Sequence, residues 1–174
     1  VITSSATSPT NTSPIPVTFT FSEPVISFVV GDITVGNGTA GNFAGSGSTY
    51  TADITPTTDG EVTVDLSASV LTDTVGNGNV AATQFVITYD STPPTVTNVT
   101  SSTANGSYKS GGVISVQVVF SENVTVTGTP RLTLETGASD AVVDYVSGSG
   151  TDTLTFDYTV SAGHTSADLD YVST

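Results

Sequence analysis

Apolar residues recur at every second position along most of this chain, and almost nowhere at helical spacing. Val17, Phe19 and Phe21 alternate with Thr18 and Thr20. Tyr50, Ala52 and Ile54 repeat the pattern, as do Val62, Val64 and Leu66, then Phe85, Ile87 and Tyr89. Further along, Ile114, Val116, Val118 and Phe120 share one face, and Leu154, Phe156 and Tyr158 share another. Successive side chains of a strand point to opposite faces, so each set predicts a strand with a core side and a Thr-rich solvent side. Asn37-Gly38, Asp59-Gly60, Asn77-Gly78 and Asn105-Gly106 are turn dipeptides between these runs. The pattern predicts an all-β protein.

The runs also repeat as a block. Phe19-Thr20-Phe21-Ser22-Glu23-Pro24-Val25 returns as Val118-Val119-Phe120-Ser121-Glu122-Asn123-Val124, a spacing of 99 residues. Gly45-Ser46-Gly47, before the Tyr50 strand, returns as Gly148-Ser149-Gly150 before the Leu154 strand, a spacing of 103. A period near 100 residues with about seven short strands fits an immunoglobulin-like sandwich. Two tandem immunoglobulin-like β-sandwiches are therefore expected, over residues 1–92 and 93–174. Between them Thr92-Pro93-Pro94-Thr95 reads as a short, semi-rigid linker, because paired prolines stiffen the backbone and cannot join a ladder. In copy two, residues 167–172 match the 62–66 strand, and the sequence ends at Thr174. The second sandwich is expected to lack its final strand within this sequence. Either the strand lies further along a longer chain, or another chain donates it and builds a fibre.

Composition narrows the chemistry. Sixteen acidic residues face only Lys109 and Arg131, giving a net charge of −14. Nucleic-acid binding needs a basic footprint, so that class is excluded, and an anionic membrane surface would repel the chain. With 36% hydrophobic residues and a mean hydropathy of +0.16, the chain is a folded protein and not an acidic tail. No Cys is present, so disulfides and thiolate metal sites are ruled out. No run approaches the roughly 18 apolar residues of a membrane-spanning helix, and no membrane insertion is expected. Val1-Ile2-Thr3-Ser4 has no leader character, so a secretory signal is expected to have been cleaved or to lie outside this sequence.

Several motifs carry a family resemblance. Phe21-Ser22-Glu23-Pro24-Val25, Gly31-Asp32-Ile33-Thr34-Val35, Asp73-Thr74-Val75-Gly76-Asn77 and Asp90-Ser91-Thr92-Pro93-Pro94 resemble the bacterial immunoglobulin-like repeats of very large surface adhesins. Copy two resembles a sister repeat through Gly128-Thr129-Pro130-Arg131-Leu132-Thr133-Leu134 and Tyr145-Val146-Ser147-Gly148-Ser149-Gly150-Thr151. The resemblance implies an extracellular, repetitive, cadherin-like rod on a cell surface, often with calcium between modules. Its partners would be neighbouring repeat modules or like subunits.

Topology adds a candidate metal site. In an immunoglobulin-like sandwich the loops holding Glu23 and holding Asp73 and Asn77 meet at the pole where a preceding module arrives. Asp90 from the linker and Glu122 would meet at the same pole of copy two. Oxygen donors converging on an acidic chain suit Ca2+, which takes six to eight of them. The competing reading is that Asp73 and Asn77 cap their own turn and Glu23 is solvated. Asp32 and Asp59 read as turn residues, Asp168 and Asp170 as solvated strand positions, and His164 as an exposed turn residue. A lone His offers no hydrolase triad, and no phosphate-binding or dinucleotide-binding glycine pattern is present. The expected role is a calcium-stiffened structural or adhesive module, not an enzyme. A carbohydrate-binding module and an accessory domain of a secreted enzyme are the rivals.

Overall fold

The Thr-and-apolar alternation becomes strand where a neighbouring run can pair with it. In the computed structural model, which describes residues 1–167 and 169–171, Ile15–Thr20 forms β2, flanked by β1 (Ile2–Ser4). Thr49–Pro56 forms β6 and Gly38–Ser46 forms β5, and the four pair antiparallel in the order β1-β2-β6-β5. A second sheet runs β4 (Ile33–Gly36), β7 (Gly60–Leu66) and β9 (Phe85–Tyr89). Val25–Ile26 (β3) and Thr72–Asp73 (β8) make a two-stranded ribbon. The inward positions of both sheets close on one core: Ile15, Val17, Phe19 and Ile54 from the first, Val62, Val64 and Ile87 from the second, all nearly inaccessible. This is a β-sandwich.

Two core residues escape the alternation. Phe28 lies beyond β3, after Ser27, whose φ of +66° turns the chain back on itself. Its ring sits edge-on to Phe19 at 5.4 Å, Phe21 at 5.4 Å, Phe43 at 5.0 Å and Tyr50 at 5.1 Å. Phe43 stacks on Tyr50 at 5.6 Å, although β5 is otherwise mostly exposed. Edge-to-face rings set the positive rim of one against the negative face of the next. Phe21 lies past the end of β2, so it joins the core as a loop residue and not as a strand position.

The chain divides into two units, Val1–Thr92 and Pro93–Thr174. In the second, β10 (Val96–Ser101), β11 (Val113–Val124), β12 (Arg131–Glu135), β13 (Ala141–Ser147), β14 (Thr151–Thr159) and β15 (Asp170–Tyr171) pair in the order β10-β11-β14-β13-β12-β15. The order β10-β11-β14-β13 repeats β1-β2-β6-β5, and β12-β15 repeats β4-β7. Strand β13 reaches both halves: Tyr145 pairs with Phe156, while Ala141 to Asp144 pair with β12. Of the expected 167–172 strand, Asp170 and Tyr171 pair with Glu135 and Leu134, while Asp168 and Val172 lie outside the described residues. No counterpart of β9 occurs among the described residues. Leu154, Phe156 and Tyr158 are buried, but Ile114, Phe120, Leu132, Val124 and Leu169 are only partly covered.

Arg131 and Asp144 lie opposite each other on β12 and β13, and Arg131 Nε donates to Asp144 Oδ1 at 2.9 Å. Both are exposed, so the pair adds little stability. Among the described residues no helix is long and apolar enough to cross a membrane.

Phe28 is 5% exposed at the centre of the ring cluster, and its removal leaves a void that four neighbours border. Phe28→Ala should destabilise the first unit by about 3–5 kcal/mol, read as a lower urea midpoint at an unchanged slope.

Candidate functional site

The pole of the first unit is built by the loop that follows β8. Asp73 enters it as the ribbon partner of Val25 and is buried at 7% exposure. Asp73 Oδ1 accepts the backbone N–H of Val75 at 2.9 Å and of Asn77 at 2.8 Å. Its Oδ2 accepts Asn77 Nδ2 at 2.7 Å. The backbone closes the same loop, with Asp73 N–H donating to the Asn77 carbonyl at 3.0 Å. Gly76 supplies the turn at φ +97°, a conformation costly for other residues. These donors favour the carboxylate form, so Asp73 titrates below its ordinary value, with the Asn77 amide the largest cause.

Asn79, two residues on, holds the opposite strand end. Its Oδ1 accepts the N–H groups of Val70 and Leu71, and its Nδ2 donates to the carbonyls of Ser67 and Val80. The sequence pattern did not single out Asn79. An Asn between two turns carries no periodic signal, and only the fold shows which backbone groups it meets.

Glu23, Asp73 and Asn77 line one open cleft of about 500 Å³, with Phe19, Leu66 and Leu71 also in its wall. The structure thus brings these three expected residues together. Asp90, at the end of the first unit, accepts the Thr92 N–H at 3.1 Å. Glu122, expected at the pole of copy two, lies inside β11, which continues through Ser121-Glu122-Asn123 where β2 has already ended.

Calcium can be tested against this donor set. A carboxylate offers about four acceptor positions, and three of those on Asp73 are taken by N–H donors of its own loop. Glu23 is exposed. Among the described residues, no three His, Cys, Asp or Glu side chains are grouped to hold a metal. Asp73 therefore spends most of its acceptor capacity on its own loop, where a calcium shell of six to eight oxygens would draw on it.

The remaining polar residues are engaged in shaping turns. Asp32 Oδ2 accepts the Val29 N–H and caps the short 3-10 turn Val30–Asp32. Asn37, at φ +56°, accepts the Thr58 N–H and hydroxyl and donates to the Thr58 carbonyl. His164 corrects its expectation of full exposure. It is half-buried, its ring stacks on Tyr158 at 5.9 Å, and its Nδ1 lies 2.7 Å from the Tyr158 hydroxyl. Burial pushes the Tyr158 hydroxyl up. The ring's partner is thus a core tyrosine, and His164 fastens the turn to the second core.

A family model described as "Bacterial Ig-like domain" matches residues 1–89. No curated protein and no solved structure gives a significant match to the chain.

Two outcomes test the loop. Asn79→Ala leaves the Val70 and Leu71 N–H groups without their acceptor and should cost about 1–3 kcal/mol in urea unfolding. Because the folded pKa of Asp73 is depressed, its contribution is complete above the ordinary 3.8 and is lost as pH falls through the lower folded value. Asp73→Asn should therefore flatten the loss of stability seen in acid titration below about pH 4, and an unchanged acid profile would show that the loop does not depend on this charge.

Proposed function

The chain belongs to the bacterial Ig-like domain family, and from that premise we propose that it is a load-bearing structural module of an extracellular, repetitive surface protein. One observation carries the reading. Thr10, in the segment between β1 and β2, bridges in parallel to Tyr89 at the end of β9. Thr10 N–H donates to the Thr88 carbonyl at 3.0 Å, and Asp90 N–H donates to the Thr10 carbonyl at 2.9 Å. Ser8 Oγ adds a third bond by accepting the Thr88 N–H at 3.0 Å. Strands that run the same way, one leading in and one leading out, are sheared when the ends are pulled apart. All three hydrogen bonds are then loaded together instead of opening one at a time.

The composition supports the same role. The rings of the first unit gather in its core: Phe19, Phe28 and Tyr50 are buried, and Phe21 and Phe43 pack against them. A carbohydrate platform needs exposed rings, so this arrangement favours the structural module over a sugar-binding one. Asp73 serves a turn, and His164 meets a core tyrosine. Adhesion by a more distal part of a longer protein, and a place at the cell surface, follow from the same reading. The stiffening by calcium suggested by the resemblance is not required by it, because Asp73 is already satisfied by its loop.

Pulling the chain from its ends tests the role. The first unit should give one discrete unfolding step, releasing roughly 300 Å of contour for about 92 residues at ~3.5 Å each. Thr10→Pro deletes the donor to Thr88 and should lower the force of that step far more than it lowers the melting temperature. Smooth extension of the unsubstituted chain without a step would reject the load-bearing reading.

A further inference from the structure

The link between the two units is held at both ends by the unit it leaves or enters. On the first side, Asp59, in the turn between β6 and β7, reaches the exit peptide. Its Oδ1 accepts the Ser91 N–H at 2.9 Å and the Ser91 hydroxyl at 2.7 Å, and its Oδ2 accepts the Thr92 hydroxyl at 2.5 Å. Asp90 Oδ1 accepts the Thr92 N–H at 3.1 Å. Charge-assisted bonds of this kind are about twice as strong as neutral ones. On the second side, Thr95 and Ser121 exchange two bonds. Thr95 N–H donates to Ser121 Oγ at 3.0 Å, and Ser121 N–H donates to the Thr95 carbonyl at 2.8 Å.

What remains between the clamps is Pro93-Pro94. Ring closure fixes φ of both near −65°. A following proline restricts Thr92 and Pro93 to the extended region. The torsions left free of both constraints are ψ of Pro94 and φ of Thr95. We propose that Asp59 and Ser121 are positioning residues that confine motion between the units to this diproline, making a stiff joint that works without a metal ion. The fold does not impose the clamp. The turn Thr58-Asp59-Gly60 of the first copy is matched, 103 residues on, by Ser161-Ala162-Gly163 in the second, where Ala162 has no carboxylate to offer. The clamp therefore belongs to this junction and not to every repeat of the module.

A stiff joint matters only to a chain that bears load, so its purpose rests on the role proposed above, while its existence is measured separately. The chain has no cysteine, so Thr51→Cys and Thr159→Cys, both exposed strand positions one in each unit, give a doubly labelled protein with no competing thiol. Distances between spin labels at these sites should form one narrow distribution that EGTA leaves unchanged. Asp59→Ala and Ser121→Ala, each in that labelled chain with circular dichroism showing the fold intact, should each broaden it. Pro93→Gly with Pro94→Gly should broaden it most, roughly doubling the width as a semi-rigid spacer becomes a flexible one. Unchanged widths in both Asp59→Ala and Ser121→Ala would overturn the clamp. Broadening by EGTA equal to that of the diglycine chain would also overturn it, by showing that a metal sets the stiffness. Neither result touches the pulling experiment, which reads the first unit alone.

Discussion

Two sheets hold each other only if every strand turns its apolar side toward the other sheet, and the first unit meets that condition around one ring. Phe28 touches four aromatic neighbours drawn from β2, its following loop, β5 and β6. Those contacts fix where the chain must bend after β3, and the bend sets the start of the opposite sheet at Ile33. Burial of a phenyl ring is worth about 1.5–3 kcal/mol before the edge-to-face terms are added, a large fraction of the stability of a small domain. With the sheets fixed, the exposed Thr faces and polar turns need only satisfy their hydrogen bonds.

That satisfaction is the second theme, and it explains how an acidic chain folds with two cations. Asp32, Asp59, Asp73 and Asp90 each accept backbone N–H groups, and Asn37 and Asn79 do the same. A carboxylate that accepts such donors is stabilised as an anion without a counter-charge. The carboxylate oxygens of Asp73 and Asp90, which look like metal ligands in a list of residues, accept the N–H groups of their own turns. Sequence reasoning weighed both uses for Asp73 and Asn77, because the same residue types at the same spacing serve either one.

The two units show how far one pattern carries. The order β10-β11-β14-β13 agrees with β1-β2-β6-β5 and β12-β15 with β4-β7, and each unit places its alternating apolar residues inward. They differ in local detail that matters. Strand β11 runs on through Ser121, which makes the bond to Thr95 possible, whereas β2 stops at Thr20. The first unit has a third strand, β9, in its second sheet, and no counterpart of it occurs among the described residues of the second unit.

The sequence by itself determined the fold class, the strands and the repeat. Period-two alternation, turn dipeptides and recurring blocks are local signals, and local signals survive without knowledge of long-range contacts. The family resemblance rested on the same blocks, and the family match over residues 1–89 agrees with it. What only the tertiary structure decided were the partners of single polar and irregular residues. Phe28 and Phe43 join the core from outside any alternating run, His164 finds Tyr158, Asn79 finds Val70 and Leu71, and Asp59 finds Ser91 and Thr92. Asp59 lies 32 residues before Ser91 in the chain. No spacing rule connects them, because the hairpin of β6 and β7 and the return of β9 bring the turn and the exit peptide together only once the sandwich has closed.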